Sequence, residues 1–288
     1  MWSYATRNQT RQEPKKPQIV NFDSPVVSFD YALCGQTRGI ILGNGGYAMP
    51  NELGQLTMNV QATAVRPLLG LTVLVVEDSR YASEAVRLLC IRSGARIRRA
   101  DSLTAAHRHL QVYRPSVVII DLGLPDGSGI DLIAELANED PIARPVILAT
   151  SGADGEDQGI EALAAGADEF LAKPITSVGA FQQSVLTHLP VDMRPTGPRL
   201  LTDEMISPDK LALNEDLTHL DDLLNSGPDV LEYVAPFFQG LARLSGDSSL
   251  KDASDALSKA HSKGSDLSSA IAHTREVIRN RLKIKELV

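Results

Sequence analysis

Four places in this chain put a charged or hydroxyl-bearing side chain at the end of a short apolar run. Glu77 and Asp78 follow Val73-Leu74-Val75-Val76, Asp121 follows Ser116-Val117-Val118-Ile119-Ile120, Ser151 follows the run Val146 to Ala149 after Thr150, and Lys173 follows Glu169 to Ala172. If these runs are parallel strands of one sheet, their carboxyl ends converge and bring the side chains together. Three neighbouring carboxylates disfavour one another's ionisation, and a divalent cation is the natural compensation. An all-oxygen donor set selects Mg²⁺ or a similar hard ion over zinc. In this arrangement Asp78 and Asp121 ligate directly, together with the backbone carbonyl of Gly123, and Glu77 acts through water. A metal beside a carboxylate, with a lysine and a hydroxyl in reach, suits a phosphoryl group arriving at Asp121. Asp121 would attack phosphorus, Lys173 and the metal would neutralise the equatorial oxygens, and Ser151 would donate to a phosphoryl oxygen of the product.

The elements that must position these residues read as a regular alternation. The apolar runs are Thr72 to Val76, Ala95 to Arg99, Ser116 to Ile120, Val146 to Ala149 and Glu169 to Ala172. Helix-compatible stretches separate and follow them: Arg80 to Ser93, Leu103 to Val112, Gly129 to Asn138, Glu156 to Ala165 and Val178 to Leu189. Five strands alternating with five helices, near-continuously apolar in the first and third strands, predict an α/β fold with a five-stranded parallel doubly wound sheet over 69–190. Residues 191–208 carry Pro195, Gly197, Pro198 and Pro208 and are expected to be a linker. Residues 209–288 show no strand pattern but four helical ones, Leu213 to Leu224, Val230 to Leu244, Leu250 to His261 and Leu267 to Leu287, which predicts a separate all-helical C-terminal domain. Residues 1–68 are expected to be an extension, partly disordered, with Met1 to Gln18 too polar to offset the entropy of ordering it. Within it, Gly43 to Ala48 has the spacing G-x-G-x-x-A, yet Met49-Pro50-Asn51 stands where a dinucleotide-binding helix should open. A turn-rich loop without a phosphate-binding role is the expectation there.

Composition narrows the function classes. With 288 residues at 43% apolar content the chain suffices for about two domains. A formal net charge of -8 gives no broad attraction to nucleic acid or anionic membrane. Two cysteines, Cys34 and Cys90, lack metal-ligand spacing and fit a reducing compartment. No run approaches the roughly 18 to 20 apolar residues of a membrane span, and the polar, basic first residues lack the apolar core of a signal peptide. A soluble cytoplasmic protein is expected.

The same residues carry a family resemblance. Val73-Leu74-Val75-Val76-Glu77-Asp78-Ser79, Val118-Ile119-Ile120-Asp121-Leu122-Gly123-Leu124-Pro125-Asp126-Gly127-Ser128-Gly129, Thr150-Ser151-Gly152 and Gly166-Ala167-Asp168-Glu169-Phe170-Leu171-Ala172-Lys173-Pro174 stand in the order found in receiver domains of bacterial two-component response regulators, which residues 71 to 189 resemble. The resemblance implies that Asp121 accepts phosphate from a sensor histidine kinase or a histidine phosphotransfer protein, with Mg²⁺ required, and that the domain catalyses its own phosphorylation and dephosphorylation. It implies a switch in which Phe170 moves with Ser151, and a cis Lys173-Pro174 bond that aims the lysine inward. Ser151 replaces the commoner threonine. Gly123 and Ala153, at positions that tune phosphate lifetime in the family, offer no polar side chain. The output surface implied is the fourth helix, fifth strand and fifth helix, within Glu156 to Leu189.

Outside that segment the reading divides. Phosphorylation-dependent binding of a downstream protein, or homodimerisation, is the leading expectation, since no catalytic effector motif follows the linker. One alternative is a phosphorelay role: Ala260-His261-Ser262-Lys263-Gly264 is similar to a phosphotransfer histidine motif, but lysine and glycine come one residue early, a rotation of about 100° on a helix. A second is a DNA-binding regulator, drawn from Arg275, Arg279, Arg281, Lys283 and Lys285, although the acidic segment Asp209 to Glu232 could neutralise that helix internally. Nucleic acid is therefore not an expected partner. Leu267, Ile271, Ile278 and Leu282 form an apolar stripe expected to pack within the helical domain.

Overall fold

The computed structural model describes residues 26–29, 39–42, 46–48, 62–140, 144–152, 156–197, 202–227, 230–263 and 266–283. The chain forms two compact units, residues 1–59 and 60–288. In the first, β1 (Val26–Phe29), β2 (Gly39–Leu42) and β3 (Gly46–Ala48) pair antiparallel in the order β1-β2-β3. The glycine-rich spacing thus ends in a strand rather than opening a helix. Met1 to Gln18, Cys34 and Gly43 to Gly45 lie outside the described residues.

The second unit is built on a parallel sheet of β4 (Thr72–Val76), β5 (Arg96–Ala100), β6 (Val117–Asp121), β9 (Val146–Ser151) and β10 (Glu169–Ala172), in the order β10-β9-β6-β4-β5. Between them run α1 (Arg80–Ser93), α2 (Leu103–Val112), α3 (Gly129–Ala137) and α4 (Glu156–Ala164), and α5 (Val178–His188) follows. Side chains alternate across each strand, and the two faces bury separate cores. Val73, Val75, Val117, Ile119, Val146 and Leu148 face α1 and α5, where Leu89, Phe181 and Val185 meet them. Leu74, Val76, Val118, Ile120, Ile147 and Ala149 face the other way, against Ala106, Leu132, Ile133 and Ala162. This double burial is why the three inner strands, β4, β6 and β9, are largely apolar rather than alternating, whereas the edge strands β5 and β10 carry Arg96, Arg98, Arg99 and Glu169.

Strand ends differ from the sequence expectation in one consequential way. β6 and β9 extend through Asp121 and Ser151, so both residues are the last members of their strands rather than loop residues. Asp121 is paired with Thr150, and the Leu122 amide donates to the Thr150 carbonyl at 3.0 Å. Beyond Asp121 the chain makes a small ribbon of β7 (Gly123–Leu124) and β8 (Gly127–Ser128) before α3. The turn back is so tight that a Cβ on Gly129 would lie 2.1 Å from the Asp121 carbonyl oxygen, so glycine is required there.

Helix starts follow from capping chemistry. Ser79, Ser102, Ser128 and Ser177 precede α1, α2, α3 and α5, and each accepts a backbone N–H of the first turn, satisfying one of the orphan donors of a helix N-terminus. The segment expected to be a linker is pinned to the sheet unit over its second half. The Val178 amide donates to the Glu204 carbonyl, the Ile206 amide donates to the Thr176 carbonyl, and Ile206 is buried in the same core as Phe181. Leu68, also fully buried there, joins that core from the other side of the expected domain start. Both are apolar residues whose burial outweighs the irregular composition around them.

The C-terminal helices are α6 (Lys210–Asn225), α7 (Leu231–Ser245), α8 (Ser248–Lys263) and α9 (Leu267–Lys283). Each packs on its neighbour in sequence and α9 closes against α6, giving a four-helix bundle around Leu217, Leu220, Val234, Phe238, Leu250, Leu257 and Ile278. Leu267, Ile271 and Leu282 of the expected stripe line the same core. Arg275 and Arg279 both bond Asp221, and Arg281 bonds Asp247, so three of the basic side chains are paired with acidic residues of the C-terminal region itself. No helix among the described residues is long and apolar enough to cross a membrane.

Candidate functional site

The strand order reverses between β5 and β6, on either side of β4, and the crevice of an open parallel sheet lies at the carboxyl ends beside such a switch point. Glu77 and Asp78 leave β4 there, Asp121 ends β6, Ser151 ends β9 and Lys173 follows β10. The carboxylates of Glu77, Asp78 and Asp121 each offer an oxygen within 4.8 Å of the others. The Lys173 ammonium lies 2.6 Å from Glu77 Oε2 and 2.8 Å from Asp121 Oδ2, joining the first strand to the third through the fifth. The Ser79 amide donates to Asp78 Oδ1 at 2.9 Å and to Glu77 Oε1 at 3.3 Å. Gly123 sits on β7 and lines the same cavity, of about 220 Å³. The Lys173-Pro174 bond is cis.

Burial sets the electrostatics. Glu77 is pushed up to about 8, chiefly by burial, with Lys173 opposing and Asp121 and Asp78 adding to the shift. Asp78 is raised to about 6, again chiefly by burial, against a hydrogen bond from Tyr233. Burial works against the Lys173 ammonium too, but Asp121 and Glu77 beside it hold its pKa above the ordinary lysine range. Three carboxylates thus share one lysine while burial resists charging of Glu77 and Asp78, and the all-oxygen donor set fits a hard divalent cation.

Two expected participants point elsewhere in this state. Ser151 Oγ donates to Gln158 Oε1 of α4 at 2.6 Å. Phe170 is half-buried and packs on α4, where a Cβ on Gly159 would stand 3.0 Å from its ring. Serine and aromatic thus contact the same helix at consecutive residues, one through Gln158 and the other through Gly159. Ala153 lies outside the described residues.

The bundle supplies groups that the strand-end pattern gave no means of finding. α7 lies over the mouth of the cavity, which Tyr233, Pro236, Phe237 and Gly240 line together with Asp121 and Lys173. The Tyr233 hydroxyl donates to Asp78 Oδ2 in a short hydrogen bond. Arg243 donates to the Gly152 carbonyl at 2.9 Å. The two backbones approach so closely that a Cβ on Gly152 would lie 2.8 Å from Gly240 Cα. On α6, Asp216 is buried and accepts from Ser79 Oγ, the Arg80 amide and the Tyr81 amide at 2.8–3.0 Å. The N-terminus of α1 is thus capped by a carboxylate from the bundle, a favourable place for negative charge. Burial nevertheless raises the Asp216 pKa, with the three hydrogen bonds opposing. Tyr81 of α1 is buried in the bundle core. An acidic residue before an amphipathic helix is the sole local signal at Asp209, and nothing near Asp216 or Tyr233 distinguishes them from other helical polar residues. His261 is exposed on α8 and does not line the cavity.

The comparisons with known proteins agree with this geometry. The family model for the response regulator receiver domain matches residues 73–183. The transcriptional regulatory protein KdpE of the KDP operon in Escherichia coli K12 is 33% identical over 126 residues, 44% of this chain and 54% of that protein. KdpE of Mycobacterium tuberculosis is 37% identical over 102 residues, 35% of this chain and 44% of that protein. The chain thus spans about half the length of the curated relatives it matches. Among solved structures, the receiver domain of the sensor histidine kinase PA1611 from Pseudomonas aeruginosa, with magnesium coordinated in its active-site cleft, is 22% identical, with 41% of this chain and 96% of that one covered at a TM-score of 0.37. The matched segment runs from the second residue of β4 through β10 and holds every strand-end residue of the site, so residues 73–183 of this chain are a response regulator receiver domain.

Proposed function

We propose that the chain is a two-component response regulator that accepts a phosphoryl group on Asp121 and signals through phosphorylation-dependent protein interaction. The observation that carries this is the Lys173 ammonium held between Glu77 and Asp121, with Asp78 in the same cluster. An Asp121 oxygen attacks the phosphorus of a phosphohistidine on a sensor histidine kinase or histidine phosphotransfer protein. The phosphorus–nitrogen bond breaks, the acyl phosphate forms, and the released imidazole takes up a proton. Lys173 stabilises the transferred oxygens, and Ser151, released from Gln158, reaches toward the product with Phe170 moving against α4. Asp78, Asp121 and the Gly123 carbonyl would hold Mg²⁺, with Glu77 acting through water, and when bound the cation supplies charge neutralisation at the phosphoryl oxygens.

The output partner's landing face on the receiver is the one where Ile160 and Leu163 of α4 are 65% and 48% exposed. A downstream protein or a second copy of the chain would bind there. Paired arginines in α9 lend no support to a DNA-reading helix. Incubation of the full chain with acetyl phosphate and MgCl₂, read by intact mass, tests the proposal. Addition of one phosphoryl group is expected, with none on Asp121→Asn. Equal labelling of wild type and Asp121→Asn would sink the assignment.

A further inference from the structure

We infer that α7 of the C-terminal bundle is a cover over the phosphoacceptor site, bolted to Asp78 by Tyr233, so that docking of the bundle and loading of the site with metal and phosphoryl group exclude one another. The inference rests on the function proposed above and adds the device that controls access to it.

The contacts form a ring around the mouth. On one side Asp216 caps the first turn of α1 through Ser79, Arg80 and Tyr81, and Arg80 pairs with Glu215 at 2.8 Å. On the opposite side Arg243 holds the Gly152 carbonyl, and Gly152 and Gly240 let the two backbones touch. Between these anchors, α7 closes the cavity with Pro236 and Phe237. A helix across the mouth leaves a protein donor no line of approach to Asp121, which is 7% exposed.

Tyr233 makes the cover responsive to what occupies the site. Asp78 Oδ1 already accepts from the Ser79 amide, and Oδ2 accepts the Tyr233 hydroxyl. A cation ligated through Oδ2 would compete with the Tyr233 hydroxyl for that oxygen, and a phosphoryl group on Asp121 would have to share the mouth that Tyr233, Pro236 and Phe237 line. A ligand that binds the open form better than the closed one shifts the equilibrium by its differential affinity, and the reverse holds by linkage. Loading the site therefore loosens the bundle, and loosening the bundle tightens the site. The released faces of α6 and α7, with Asp216, Tyr233 and Arg243 freed from the receiver, then become available to the downstream protein.

Two variants of the full chain separate docking from chemistry. Gly240→Gln favours helix over glycine, and beyond a Cβ already in contact with Gly152 Cα at 3.5 Å it adds a methylene and a carboxamide at the seam, so the bundle is expected to fold without seating. Tyr233→Phe removes the hydroxyl and keeps the ring against Phe237, 5.7 Å away between centroids. Isothermal titration with MgCl₂ alone is expected to show affinity about tenfold higher in both variants than in wild type, within the usual range of coupling between two sites. In wild type, MgCl₂ with beryllofluoride is expected to accelerate hydrogen exchange of the Arg80 and Tyr81 amides, whose protons Asp216 holds. Unchanged Mg²⁺ affinity in both variants, or full protection of those amides after beryllofluoride, overturns the cover. Acetyl phosphate labelling of Gly240→Gln keeps the two readings apart. Label on Asp121 with no change in Mg²⁺ affinity rejects the cover alone, whereas no label on wild type or on Gly240→Gln rejects the phosphoacceptor function itself.

Discussion

The receiver sheet and the C-terminal bundle meet at one site but reach it by different physics. On the sheet, every reactive group stands at the end of a strand, where the ladder fixes its place to within a residue. Asp121 is opposite Thr150, and the Lys173 amide donates to the Ser151 carbonyl at 3.0 Å. On the bundle, Asp216, Tyr233 and Arg243 are placed by how two helices seat against another domain. Sequence motifs report the first kind of placement because its geometry is local. They are silent on the second because it depends on a docking surface.

Breaking the bundle core should have the largest effect and should show whether the two regions stand apart. Phe238 is fully buried, and Phe238→Ala is expected to cost about 3–5 kcal/mol in urea unfolding. Because Phe238 shares no core with β4 or β6, hydrogen exchange should accelerate throughout α6 to α9 and leave those strands protected. Loss of protection in the strands would mean that sheet and bundle unfold as one.

Asp216→Ala attacks the seam between them. It removes a buried carboxylate with three hydrogen-bond partners and is expected to cost about 1–3 kcal/mol, with exchange accelerating at Arg80 and Tyr81. Restored protection in Asp216→Asn, which keeps an acceptor, would distinguish capping from charge.

The acidic cluster gives a pH dependence of the sheet side. Glu77 near 8 and Asp78 near 6 bind protons more tightly folded than unfolded. Their contribution to stability is complete below the unfolded carboxylate values of about 4 and is lost as pH rises through about 6 and about 8. The unfolding free energy in urea should therefore fall over that window, and MgCl₂ should reduce the fall. A midpoint insensitive to pH would mean that the carboxylates are not desolvated as placed.

The smallest effect should come from the outer face of the bundle. Arg275→Ala breaks a pair with Asp221 whose side chains are 24% and 17% exposed, and about 0.2–1 kcal/mol is expected, shrinking with salt. A larger loss in thermal unfolding would show that the Arg275-Asp221-Arg279 network braces α6 beneath its docking face.

The sequence by itself determined the five-stranded parallel sheet, the four strand-end motifs and the helical character of the last third. Strands buried on both faces must be apolar, a hydroxyl or carboxylate favours a helix start, and parallel strands bring their ends together. Thus Glu77, Asp78, Asp121, Ser151 and Lys173 could be read as one constellation before any coordinates. The tertiary structure decided the rest. It showed Ile206 and Leu68 in the sheet core, because apolar burial overrides the proline-rich or irregular composition around them. It turned Ser151 toward Gln158, a partner seven residues on whose direction depends on how α4 seats. Above all it laid Tyr233 against Asp78 and Asp216 against the start of α1. Those contacts join residues 155 and 135 positions apart, and no periodicity or spacing encodes a meeting that exists only when two separately folded surfaces fit.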